Sequence, residues 1–244
     1  MTLRAIIPEW PAPDTVAAAS TERAGGISQG AYADLNLGSH VGDDAEAVAR
    51  NRELVVSALK LPNEPSWLEQ VHGTHVVDLD RTSSLTADGA VTSTPGRVCV
   101  ILTADCLPVL LTNAVGDRIG AAHAGWRGLA NGVLPAAVKA MGCDPSSLVA
   151  WLGPAIGPGA YEVGGDVRDE FVAADSAAKD CFEPNANGRW QADLYGLARR
   201  SLAAAGVDAI YGGGFCTATE SDRFFSHRRE APCGRMATLI WIKP

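Results

Sequence analysis

Apolar runs alternate with polar, glycine-rich breaks along most of the chain, and the length of each run separates strands from helices. Residues 98–102, 107–112, 118–122 and 148–152 form short, mostly apolar runs, the pattern of strands buried on both faces. Segments 5–10, 16–21, 67–71, 75–79, 88–91, 208–211 and 236–242 read as further strands between turn-forming residues. Helical spacing appears where Val48, Val55, Ala58 and Leu59 share a face, capped by Asp43 and Asp44 and ended at Leu61 and Pro62. Leu129, Val133, Leu134, Val138 and Met141 carry the same spacing. Pro135 forbids one hydrogen bond there, so that helix either kinks or begins after Leu129. Residues 166–173 begin another helix, and Leu194, Leu197, Ala198, Leu202 and Ala205 define a last one, stopped by Gly206. The glycine-rich stretch 23–40 and the glycine- and proline-rich stretch 153–165 read as loops.

Strands and helices are interspersed, yet several consecutive strands have no helix between them. That argues against a purely parallel sheet and for an α/β chain with mixed sheets and helices packed outside. No linker or compositional shift divides the 244 residues, so one domain over 1–244 is expected. The net charge of −8, without a basic block, speaks against binding nucleic acid or an anionic membrane. With no leader-like or membrane-spanning run, the expectation is a soluble, cytoplasmic protein. Six cysteines without a Cys-x-x-Cys pair read as reduced residues, most of them in the core.

Three groups abut glycine or proline irregularity at strand ends: His72, Cys106 and His123. They lie 34 and 17 residues apart, far from zinc-finger spacing, so convergence does not follow from sequence, and an isolated Cys or His in apolar surroundings is usually a core residue. If they converge, two imidazoles and a thiolate suit Zn²⁺ with a fourth position open for water or substrate; His75 is the nearest fourth protein ligand, and its participation would favour a structural metal. Gly125-Trp126-Arg127-Gly128 lies at a strand-to-helix junction, a place for an anion such as phosphate. In Phe224-Phe225-Ser226-His227-Arg228-Arg229, the arginines either hold phosphate or form a solvated face paired with Glu230 or Asp222 over core phenylalanines. Gly26-Ile27-Ser28-Gln29-Gly30 has the letters of a nucleophile elbow without its strand and helix.

Taken in order, Asn36-Leu37-Gly38, His40-Val41-Gly42-Asp43-Asp44, Gln70-Val71-His72-Gly73, Ala87-Asp88-Gly89, Thr103-Ala104-Asp105-Cys106-Leu107-Pro108, His123-Ala124-Gly125-Trp126-Arg127-Gly128, Gly153-Pro154-Ala155-Ile156-Gly157, Tyr161-Glu162-Val163-Gly164 and the 224–229 group resemble the YfiH family. Its members have been described as laccase-domain or polyphenol oxidase proteins and as purine nucleoside phosphorylases. The resemblance implies a single-domain, four-layer α/β sandwich of two mixed sheets flanked by helices, shared with the cytotoxic necrotizing factor catalytic domain, and a monomer. It implies zinc, in preference to copper, on His72, Cys106 and His123. It also implies purine nucleosides and phosphate as substrates, with Asn36, Arg127, His227 and Arg228 as substrate- or phosphate-binding positions, and an adenosine deaminase activity. Two alternatives stand beside it: a metal-free amidase acting on peptidoglycan precursors through Cys106 and His123, and a copper oxidase, for which five histidines are few. The chain departs from many relatives at Ala160, where they have cysteine, and at His227, where they have tyrosine.

Overall fold

The computed structural model describes residues 3–244. Its elements begin β1 (Ala5–Ile6), β2 (Val16–Thr21), α1 (Ala45–Ala58), β3 (Val76–Asp78), β4 (Gly89–Thr92), β5 (Val98–Thr103), β6 (Leu107–Asn113) and β7 (Ile119–Ala124). They continue with α2 (Trp126–Ala130), α3 (Val133–Met141), β8 (Leu148–Leu152), β9 (Glu162–Val163), α4 (Gly165–Ala174), β10 (Phe182–Pro184) and β11 (Trp190–Ala192). The chain ends with α5 (Leu194–Ala204), β12 (Ala209–Gly212), α6 (His227–Glu230) and β13 (Met236–Ile242).

Among the described residues there are three sheets rather than the two expected. One has the order β1-β2-β13-β5, one β12-β8-β6-β7-β4-β3, and a small one β10-β11-β9. Only the six-stranded sheet is mixed, with parallel pairs at its two edges, β12 with β8 and β3 with β4; every pair in the other two is antiparallel. The small sheet escapes a periodicity reading because its strands are two or three residues long, too short to show alternation.

Alternation within the strands fixes the layers. Ile101, Ile240 and Ile242 of the four-stranded sheet meet Leu110, Ile119, Ala121 and Trp151 of the six-stranded one, which makes the central inter-sheet core. Val98, Val100 and Leu239 point the other way onto Leu35 and Leu37 of the 23–40 loop and onto Val55 of α1. The outer face of the large sheet, through Leu107, Val109, Leu111 and Ala122, is covered by α2, α3, α4 and α5. Helices thus flank two facing sheets.

The helix expected around Pro135 is broken earlier. Gly132 at φ 93° separates α2 from α3, and Pro135 falls in the first turn of α3, where a missing N–H costs nothing. Pro108 is the second residue of β6. Its carbonyl accepts from Gly153 N (2.9 Å), so its nitrogen faces the side where β8 has already ended at Leu152. Residues 67–71 do not form the expected strand. They carry only isolated bridges, from Ser66 to Cys99 of β5 and from Glu69 to Thr86, and the Gln70 side-chain amide takes both the N–H and the C=O of Leu102 (2.8 and 2.9 Å) in place of a backbone partner. The first expected strand shortens to Ala5–Ile6, Pro8 and Pro11 having no N–H to give a ladder. No helix among the described residues is long and apolar enough to cross a membrane.

Candidate metal centre and active-site cavity

The β6–β7 hairpin supplies two of the three candidate ligands. Cys106 precedes β6, and His123 lies in β7 opposite Pro108. His72 comes from the loop before β3, in the left-handed region at φ 60°, an uncommon conformation for a residue with a Cβ. The three ligand atoms lie within 4.8 Å of one another, and the two imidazole rings meet edge to face with centroids 4.8 Å apart. Among the described residues this is the one group of three or more such donors so close, and His75 is outside it. Gly125 closes the floor: a Cβ there would sit 3.0 Å from Cys106 Sγ and 3.3 Å from His72 Cδ2, so a side chain at this strand-to-helix turn would crowd both ligands.

Behind the trio lies Asp88, at the start of β4 and fully buried. Its carboxylate is 2.8 Å from His123 Nδ1 and also accepts the backbone N–H groups of Val71, His72 and Gly73. An ionised carboxylate can only accept, so His123 carries its proton on Nδ1 and keeps Nε2 for the ligand group. Burial pushes the Asp88 carboxyl up, but the His123 ring and the loop amides outweigh it and hold it below the usual carboxylate range. Cys106 and His123 are coupled. Burial opposes the thiolate, yet the neighbouring His123, with hydrogen bonds from both imidazoles, lowers the thiol; burial likewise opposes the imidazolium, and Cys106 and Asp88 raise His123. A thiolate facing imidazole nitrogens, backed by a carboxylate, is a donor set that fits zinc and excludes hard cations such as Mg²⁺.

The trio opens into a cavity of about 440 Å³, whose walls include Trp126, Tyr161 and Ile156 together with His40, Gln70, His227, Arg228 and Arg235. Two of the four expected substrate-binding positions line it, His227 and Arg228. The Arg228 guanidinium lies 5.2 Å from the Tyr161 ring and donates to Glu162 O (3.0 Å). Arg127 is exposed, stacked on Trp126 at 4.4 Å, and is not part of the wall; α2 itself has five residues. Asn36 is buried and fully used by the structure. Its Oδ1 accepts from Gly38 N and Arg235 N, both at 2.9 Å, and its amide donates to Asp43. Asp105, beside the thiol in sequence, accepts from Thr217 Oγ1 (2.6 Å) and Arg228 N (2.7 Å), which anchors α6 against the site.

The 224–229 group divides between both readings. Phe224 and Phe225 are core, Arg229 pairs with Glu230 and caps carbonyls of residues 217, 218 and 224, and Arg228 faces the cavity. Ser28 is buried and donates to Asp43 (2.6 Å), as a loop-forming residue does. The parts that sequence reasoning missed are the roles of Asp88 and Gln70 and the lining residues Arg235 and Tyr161. The available signal for Asp88 was a carboxylate opening an otherwise apolar strand.

Residues 17–243 match the family described as multi-copper polyphenol oxidoreductase laccase. The chain is 49% identical over 239 residues to the purine nucleoside phosphorylase YfiH of Escherichia coli, covering 97% of this chain and 98% of the other. It belongs to the YfiH family. Within that family it is also 52% identical over 239 residues to a purine nucleoside phosphorylase of Pseudomonas aeruginosa, covering 98% of each. Among solved YfiH-like structures, a Neisseria meningitidis protein superposes with a TM-score of 0.94 at 48% identity, over 98% of this chain and 99% of that one. YfiH of Bacillus licheniformis gives 0.88 at 31% identity, over 94% of each.

Proposed function

We propose that this YfiH-family chain is a zinc-dependent purine nucleoside phosphorylase. It would cleave adenosine, inosine, guanosine and methylthioadenosine with phosphate, giving the free base and ribose 1-phosphate or methylthioribose 1-phosphate, and would also deaminate adenosine. The observation that carries the reading is the convergence of His72, Cys106 and His123 at one end of a cavity that carries both aromatic and cationic walls. Cavity size suits one nucleoside with phosphate. Trp126 and Tyr161 offer faces for a purine, while Arg228 and Arg235 supply positive charge for an oxyanion and His227 and His40 polar contacts. Phosphorolysis needs phosphate held on the side opposite the departing base, and most of the work is placement and charge stabilisation. Zinc, held by His72, Cys106 and His123, would supply Lewis acidity at that end of the cavity. Incubation with adenosine, with and without phosphate, tests the reading by following adenine, inosine and ribose 1-phosphate. Absence of all three products from a zinc-loaded sample overturns it.

One observation favours a second reading. Asp88, His123 and Cys106 form a carboxylate–imidazole–thiol series, with the thiol lowered and the imidazole raised, which is the arrangement of an activated cysteine nucleophile. An amidase acting on peptidoglycan precursors would use it without metal. Activity that survives a chelator and disappears on alkylation of Cys106 selects the amidase; the reverse selects the zinc enzyme.

A further inference from the structure

Asp88 is in contact with two of the three ligand residues by independent routes. Its Oδ1 accepts from His72 N (2.9 Å) and stands 2.8 Å from His123 Nδ1. Its Oδ2 accepts from Gly73 N (2.6 Å) and Val71 N (3.2 Å). Four N–H groups therefore converge on two oxygens, at a side chain with no exposure to solvent. An ionised carboxylate has four acceptor sites and no proton to donate, so it alone among side chains of this size satisfies all four. Asparagine offers one oxygen and would turn an NH₂ toward two of the same donors. The backbone adds to the linkage, since Asp88 O accepts from His123 N (2.7 Å) and Asp88 N donates to His75 O (2.9 Å).

The consequence concerns His72. Its backbone sits at φ 60°, which a non-glycine residue adopts only when its surroundings hold it there, and the N–H groups of 71, 72 and 73 are the ones Asp88 collects. None of these hydrogen bonds runs through a metal. We propose that Asp88 is a positioning residue that builds the site in advance: one buried carboxylate fixes the orientation of the His123 ring and clamps the loop that presents His72, so that both imidazoles stand ready before a metal ion arrives. This rests on reading the trio as a metal site, and goes beyond it by naming what sets the site's affinity.

The test uses the full chain and zinc alone. In Asp88→Asn, zinc affinity measured by competition with a chromophoric chelator should fall roughly 10- to 100-fold, the range for lost outer-sphere partners. Amide hydrogen exchange at Val71, His72 and Gly73 should speed up, while amides of β5 and β13 keep their wild-type protection. Unchanged affinity, or unchanged exchange in the loop, overturns the proposal; a uniform rise in exchange through the core assigns Asp88 to general stability and overturns it as well. Should Asp88→Asn fail to fold, the wild-type chain decides. Slow exchange at 71–73 in the metal-free protein supports the proposal, and fast exchange that slows only when zinc is added defeats it. A wild-type chain that binds no zinc removes the metal reading, yet exchange in the loop still judges the clamp, so the two failures are distinguishable.

Discussion

At the scale of single residues, the cavity separates arginines that the sequence places side by side with the site. Arg228 reaches the cavity wall with one terminal nitrogen committed to Glu162 O, leaving the rest of its fork for a ligand, whereas Arg127 lies flat on Trp126 outside it. Arg228→Ala should therefore raise the KM for phosphate by about 10- to 150-fold, the equivalent of roughly 1.5–3 kcal/mol for a hydrogen bond to a charged group. Arg127→Ala should change it several-fold less and leave zinc content intact. Steady-state phosphorolysis at varied phosphate, with metal analysis of both variants, checks this; equal effects would return Arg127 to the phosphate site. Gly125 gives a second expectation. A Cβ 3.0 Å from Cys106 Sγ and 3.3 Å from His72 Cδ2 has to push two ligands apart, so Gly125→Ala should weaken zinc roughly tenfold with little change in the unfolding midpoint. A zinc titration alongside a denaturation curve measures both.

At the scale of elements, strands β5 to β8 and helices α1, α3 and α5 were legible because each is long enough to show its period and each has a physical stop. Asp44 does cap α1 by accepting from Ala47 N (2.8 Å), and Gly206 follows α5 at φ 88°. The site was legible as three candidate ligands but not as an arrangement, because what joins them is long-range. Asp88 reaches 15 to 17 residues back to the His72 loop and 35 forward to His123, and Asp105 reaches 123 residues to Arg228. No local pattern encodes those pairings. The same reason turned 67–71 from a strand into a segment pinned by a glutamine side chain, while the third sheet was hidden by the shortness of its strands. Gly128 shows what the motif spacing was recording: a Cβ there would lie 2.8 Å from Gly73 O, so α2 packs directly on the backbone of the His72 loop. Gly128→Ala should accordingly lower stability by about 1–3 kcal/mol through overpacking and disturb the loop with it, read as a shift in denaturant midpoint together with weaker zinc binding.

At the scale of the whole molecule, the two large sheets are joined by an apolar layer and, at one edge, by a polar knot around Asp80. Asp80 follows β3 and accepts from Thr92 Oγ1 (2.6 Å), Ser93 N (2.7 Å), Thr94 Oγ1 (2.8 Å) and Ser93 Oγ (2.9 Å), at the end of β4 and just past it. Arg118, before β7 of the large sheet, and Arg97, before β5 of the facing sheet, come within 3.6 and 3.7 Å of it. Burial raises this carboxyl, but the four hydrogen bonds prevail and hold it well below the ordinary carboxylate value. A group whose folded pKa is depressed contributes stability that is present above its unfolded value of about 3.9 and is lost as pH falls through the folded one. Wild-type stability, followed by urea denaturation from neutral to acid pH, should thus decline from about pH 5 downward. Asp80→Asn should start lower at pH 7, because it keeps one acceptor for four donors, and its curve should be flatter, approaching the wild-type curve in acid. Parallel curves for the two proteins would show that the knot is not linked to protonation of Asp80, and the acid sensitivity would then have to be sought in other carboxylates.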